Sequence, residues 1–120
     1  MAVAAAAVNN FRTIPVVVGV ATTSVYEAPV GFVGVVLLAQ CANVSSTTQK
    51  ITWSHNRIGS TGTVATTEIV KDFELPRNDT INLLPGKLVL ETGDYVTINS
   101  STAVSSELKF ILSILETSNQ

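Results

Sequence analysis

Apolar and polar residues alternate along most of this chain with the period of a β-strand. In residues 49–54, Ile51 and Trp53 alternate with polar neighbours, so the two large side chains share one face of a strand. Residues 95–99 repeat the pattern. In residues 107–117, every second position from Leu108 to Ile114 is apolar. We therefore predict strands here whose apolar faces form a core, with Trp53 and Phe110 inside it.

The same pattern along the whole chain predicts nine segments of strand. They cover residues 11–20, 23–28, 32–44, 49–54, 64–75, 80–84, 87–91, 95–99 and 107–117. Two of them, 64–75 and 107–117, also suit a helix, but their β-branched residues favour a strand. Short strands separated by turn residues every 8–12 residues or so are typical of a β-sandwich or barrel. We predict an all-β fold: a single antiparallel β-sandwich, jelly-roll-like, of eight to nine strands with an N-terminal arm. Residues 1–22 form the arm and an edge strand, and residues 23–120 form the sandwich domain.

The strand at residues 32–44 is apolar on both faces. One predicted face carries Val33, Val35, Leu37, Ala39 and Cys41, and the other carries Val36, Leu38, Ala42 and Val44, with Gln40 among them. A strand of this kind packs one face on the core and offers the other to a second surface.

Charge is sparse and unevenly placed. Charged residues are 13% of the chain, against about 25% in a typical soluble domain, and residues 1–49 contain only Arg12 and Glu27. The net charge of −2 gives no basic footprint for nucleic acid. No apolar run approaches the roughly 18 residues of a membrane span. We expect neither a nucleic acid nor a membrane as partner.

One cysteine and one histidine limit the chemistry that this chain can perform. Cys41 has no partner for an internal disulfide, and His55 lies in residues 55–63, which we predict to be a solvated loop. Glu91 and Asp94 flank a tight turn. At such a turn an aspartate more often caps backbone amides than forms part of a catalytic acid pair. We therefore predict no enzyme activity, no catalytic residue, no cofactor and no metal site.

The first 22 residues have one charge, Arg12, and no clear strand pattern before residue 11. Ordering such an arm costs roughly 1–2 kcal/mol per residue, which contact with another surface must offset. Residues 11–20 could instead fold back on their own sandwich as an edge strand. We predict a homo-oligomer, with three copies preferred, whose arm adds to a neighbour. The candidate assembly residues are Val3, Val8, Phe11, Ile14, Pro15 and Val17.

Several short motifs occur in an order that resembles small virion structural proteins of tailed bacteriophages. The matching residues are Val25, Tyr26, Ala28, Pro29 and Gly31, then Ala42, Asn43 and Val44, then residues 86–94, and finally Ser113, Leu115, Glu116 and Thr117. The resemblance covers about residues 23–117 and brings no catalytic residue with it.

The resemblance to phage proteins implies a function. It implies a capsid decoration or cement protein that stabilises the head by binding the major capsid protein or other virion proteins. Such a protein is located in the virion and is assembled in the cytoplasm of the host bacterium. The alternatives are a neck, collar, tail or fibre component, or a sandwich module that binds a carbohydrate or receptor.

Overall fold

The computed structural model describes residues 9–102 and 107–118. These residues form nine strands and no helix. The strands are β1 (Asn9–Val17), β2 (Thr23–Glu27), β3 (Phe32–Asn43), β4 (Gln49–Ile58), β5 (Val64–Leu75), β6 (Asp79–Asn82), β7 (Leu88–Leu90), β8 (Tyr95–Ser100) and β9 (Leu108–Ser118). The predicted all-β fold is confirmed.

Two antiparallel sheets pack as a sandwich. The first, sheet A, has the order β1-β9-β3-β6, and β7 pairs with the same edge of β3 as β6 does. The second, sheet B, has the order β2-β8-β4-β5. These strand orders are those of a jelly roll, in which strands from both ends of the chain interleave. The predicted jelly-roll-like sandwich is therefore confirmed.

Strand β1 is an edge strand of sheet A. It pairs with β9 along its whole length, from Asn9 opposite Thr117 to Val17 opposite Lys109. Pro15 is tolerated there, because an edge strand needs donors on one side only. Residues 9–17 thus fold onto their own sandwich, while the division of the chain at residue 22 stays a prediction.

The core lies between the sheets, around a pair of aromatic rings. Trp53 is 0% exposed and Phe110 is 1% exposed, and their ring centroids lie 5.2 Å apart. Both were predicted to be core residues, and the structure confirms this. The alternation in β9 also holds, since Leu108, Leu112 and Ile114 are fully buried.

The predicted faces of β3 are wrong. Val33, Val35 and Leu37 were placed on one face with Cys41, by strict alternation. The pairing with β9 is irregular at Leu37, and such a bulge exchanges the two faces of a strand beyond it. As a result Val36 and Cys41 are both 0% exposed, although they lie five residues apart.

Candidate functional site

The outer face of sheet A carries an unbroken apolar row across four strands. Phe11 lies opposite Leu115, Leu115 opposite Val35, and Val35 opposite Val89. Residues directly opposite each other in antiparallel strands point to the same face. With strands about 4.8 Å apart, the row is about 14 Å wide. Phe11 is 72% exposed and Val89 is 55% exposed, so the two ends of the row face solvent.

Further apolar residues flank this row on β1 and β9. Beyond the polar pair of Thr13 and Ser113, Pro15 lies opposite Ile111, and Val17 lies two pairs further along. We call the surface formed by these residues the apolar face: Phe11, Pro15, Val17, Val35, Val89, Ile111 and Leu115. Among the outward positions of β1 and β9, Lys109 is the one charged residue. An apolar patch with so little charge is typical of a surface that another protein covers.

The structure separates the residues that the sequence singled out for assembly. Phe11, Pro15 and Val17 lie on the apolar face, whereas Ile14 is half-buried and packs against the core. Val3 and Val8 lie outside the described residues. Whether these residues act in assembly stays a prediction.

The sequence did not identify Val35, Val89 and Leu115 as members of this surface. The bulge in β3 hid the outward direction of Val35, and the pairing of β7 with β3 could not be read from a three-residue strand. The sequence of β9 does indicate the outward direction of Ile111 and Leu115, because both lie out of phase with the core residues of that strand.

A buried carboxylate attaches β1 to the rest of the sandwich. The Glu116 side chain on β9 is 8% exposed. It accepts hydrogen bonds from Tyr26 Oη at 2.6 Å, Asn10 Nδ2 at 3.0 Å and Arg12 Nη1 at 3.2 Å. The Arg12 guanidinium also lies 5.7 Å from the centre of the Tyr26 ring. Gly34 leaves room for this ring, since a Cβ there would lie 3.1 Å from Tyr26 Cε2.

These contacts shift the ionisation of the two acidic groups in the cluster. Burial disfavours the Glu116 anion, but hydrogen bonds from Tyr26, Asn10 and Arg12 outweigh it, and the pKa of Glu116 lies below its usual value. Burial and the bond to Glu116 raise the pKa of Tyr26. The local sequence pattern does not reveal this cluster, although Glu116 falls in phase with the buried residues of β9.

A second cluster forms where β4 passes the turn before β8. Arg57 Nε and Nη2 donate to the two Asp94 carboxylate oxygens at 2.9 and 2.7 Å, and Nη2 also donates to Glu91 at 2.9 Å. The backbone N–H of Glu91 donates to Asp94 at 3.0 Å, which confirms the capping role predicted for Asp94. Burial opposes ionisation of Asp94, but the hydrogen bonds from Arg57 and His55 prevail and lower its pKa.

The predicted loop at residues 55–63 is wrong for its first four residues. His55 lies on β4 with its side chain 17% exposed, and its Nε2 is 3.1 Å from Asp94 Oδ2. Asn56 is 5% exposed and donates to Thr97 Oγ1 at 3.1 Å. These polar residues remain in the strand because β8, about 40 residues further along the chain, supplies their partners.

The outer face of sheet B forms a polar groove of about 770 Å³. Its walls include Ser24, Ser54, Asn56, Thr66 and Thr97. Several of these groups bind one another, since Asn56 also accepts a hydrogen bond from Thr66 Oγ1 at 2.7 Å. Asn56, Thr66 and Thr97 thus satisfy one another's hydrogen-bonding groups within the groove.

Within residues 9–102 and 107–118, neither a metal site nor a membrane-spanning helix is found. No group of three or more His, Cys, Asp or Glu side chains there is placed to hold a metal ion. No helix in this part of the chain is long and apolar enough to cross a membrane.

Comparison with known proteins gives a match at the level of the fold. No family model matches the chain, and no curated protein matches it. A solved structure described as "Bacillus endospore appendages form a novel family of disulfide-linked pili" is similar, with a TM-score of 0.53 and 12% identity. The similarity covers 98% of this chain and 96% of the other. At this identity it shows a shared fold.

This match overturns the phage assignment. The sequence predicted a capsid decoration protein, with neck, tail or receptor-binding modules as alternatives, whereas the matching structure belongs to a bacterial appendage. The function drawn from the phage resemblance is therefore wrong. The motifs that carried it, such as residues 86–94, consist of turn and core positions, and one sandwich fold serves many unrelated functions.

Proposed function

We propose that this protein is a non-enzymatic structural subunit that assembles with copies of itself into a fibrous appendage. The observation that carries the proposal is the apolar row Phe11–Leu115–Val35–Val89 on the outer face of sheet A. The fold supports it as well, because the matching structure is described as a pilus protein of Bacillus endospores.

The size of the apolar face favours repeated contacts over one isolated contact. Full burial of a Val, Leu or Phe side chain is worth about 1.5–3 kcal/mol, so the partly exposed residues of the row supply several kcal/mol. Association of two proteins costs about 4–15 kcal/mol in lost translational and rotational freedom. A single contact through this face is therefore weak, whereas many contacts in an ordered array reinforce one another.

The contacts that we propose are non-covalent, unlike those named for the matching pili. The chain has one cysteine, Cys41, and it is 0% exposed on β3. Burial also raises the pKa of its thiol to about 12, which leaves almost no reactive thiolate at neutral pH. Cys41 is thus out of reach of a neighbouring copy while the sandwich stays folded.

The N-terminal residues give the assembly a second point of attachment. The side chains of residues 1–8 are all apolar. They directly precede Asn9, which pairs with Thr117 near the end of β9. In the described residues, β1 pairs with β9 alone, so its other edge is open to strand addition. We propose that residues 1–8 and this edge contact a neighbouring copy. If the assembly closes into a ring, we propose that the ring contains three copies.

A double substitution on the apolar face tests the proposal. Val35→Thr with Leu115→Thr keeps the β-propensity of both strands but adds two hydroxyls to the row. We expect the native protein to form assemblies in light scattering and electron microscopy, and the variant to remain a 12.7 kDa monomer.

The matched control replaces two exposed valines outside the apolar face. Val30→Thr and Val44→Thr alter side chains that are 92% and 53% exposed, and this variant should assemble like the native protein. Thermal unfolding of each variant verifies that the sandwich is intact. A folded face variant that assembles normally would contradict the assignment of the face.

A further inference from the structure

We infer that the tip of the β4–β5 hairpin docks on the apolar face of a neighbouring copy. The hairpin tip is defined as residues 57–68. The inference rests on the proposed function, because it names the part of the second copy that occupies the apolar face.

The hairpin tip extends past the rest of sheet B. Strand β8 pairs with β4 as far as Asn56, whereas the ladder between β4 and β5 continues to the pair Ile58 and Val64. All residues from 57 to 68 are exposed. The tip is therefore a two-stranded element with no third strand beside it, and such an element is marginally stable without added contacts.

One pair of exposed apolar side chains lies beside the turn of the hairpin tip, and the turn itself, residues 59–63, consists of glycine, serine and threonine. Ile58 and Val64 lie directly opposite each other and are 55% and 43% exposed. No residue from 58 to 67 carries a charge. Two β-branched side chains at an exposed turn thus form a small apolar surface that a partner can cover.

The cluster around Arg57 fixes the direction of the hairpin tip. Arg57 holds the nearly buried Asp94 through two hydrogen bonds and also holds Glu91. The first residue of the tip is therefore bound to the turn that precedes β8. A binding element that is already oriented loses less entropy when it docks.

The apolar face matches the hairpin tip in charge and in width. Residues 58–67 carry no charge and the apolar face has Lys109 at one side, so a contact that leaves Arg57 and Glu68 at the base of the tip in solvent buries little charge, and burying a charge is the costly step in forming a contact. The row is about 14 Å wide, which admits a tip whose two strands lie about 4.8 Å apart.

The geometry of such a contact leads to a chain of subunits. The tip and the face are different surfaces of one molecule, so the contact is head-to-tail. Repeated head-to-tail contacts produce a ring when they close and a helical filament when they do not. Two apolar faces packed against each other would instead give a closed dimer.

Disulfide trapping with variants that each carry one added cysteine tests this inference. Thr61→Cys places a thiol at the hairpin tip, and Ser113→Cys places one on the outward side of β9. The native Cys41 is buried and stays unreactive. We expect that mixing the two variants with a mild oxidant at assembling concentrations yields mainly the 61–113 cross-linked dimer. Mixing Thr61→Cys with Ser24→Cys, on the outer face of sheet B, is the matched control and should give little product.

The outcomes separate the inference from the proposed function. A predominant 113–113 product would show that two apolar faces pack together, and would overturn the docking of the hairpin. Assembly without a 61–113 product would also overturn it, and the proposed function would stand. If the native protein stays monomeric under the same conditions, the proposed function fails, and the inference fails with it.

Discussion

Individual residues differ in how far the sequence reveals their environment. Trp53 alternates with polar neighbours inside one strand, so its burial follows from local pattern alone. His55 and Asp94 are 39 residues apart, and their contact depends on the pairing of β4 with β8. Residues whose partners lie far away in the chain cannot be placed from a local pattern, which is why His55 was predicted to be solvated.

At the residue scale, Trp53→Ala should cost about 3–5 kcal/mol in the free energy of unfolding, the usual range for removing a buried aromatic side chain. Trp53→Phe should cost less, because it keeps a ring beside Phe110 and removes an indole N–H that finds no acceptor among the described residues. Chemical denaturation measures both values. An unchanged midpoint for Trp53→Ala would show that the ring contributes nothing to the core.

Among the elements, strand positions followed from the sequence better than strand faces. The predicted bounds of residues 64–75 agree with β5, since β-branched residues and turn signals mark both ends. The faces of β3 were wrong because a bulge shifts the register by one residue, and nothing in an apolar strand marks where it occurs. The same shift concealed the outward direction of Val35 on the apolar face.

The attachment of β1 through Glu116 predicts a specific pH dependence. The folded-state pKa of Glu116 lies below its ordinary value of 4.5, so the ionised form stabilises the fold at neutral pH. This stabilisation is complete above the unfolded-state pKa and is lost as the pH falls through the lowered folded-state pKa.

Glu116→Gln should therefore be about 1.5–3 kcal/mol less stable at pH 7, the range for hydrogen bonds to a charged group. Between pH 7 and strongly acidic pH, its stability should fall less than that of the native protein. Denaturation at a series of pH values measures this, with Glu74→Gln on the exposed side of β5 as control. A variant whose stability follows the native curve in parallel would refute the role of Glu116.

At the scale of the whole molecule, the sequence predicted the architecture and misled about the function. Regular turn spacing and strand alternation indicate a β-sandwich or barrel, because both folds bury one face of many short strands. Function depends on which surface residues lie together, and the assembly surface that we propose is formed by four strands from distant parts of the chain. Motifs made of turns and core positions describe the fold and do not distinguish a capsid protein from an appendage subunit.

Sedimentation velocity of the unaltered protein over a wide range of concentrations tests the central claim, that this sandwich assembles with copies of itself. The apolar face and its few charges predict species that grow with concentration and that persist in high salt, because apolar contacts are not screened. A single species of 12.7 kDa at every concentration would contradict the account.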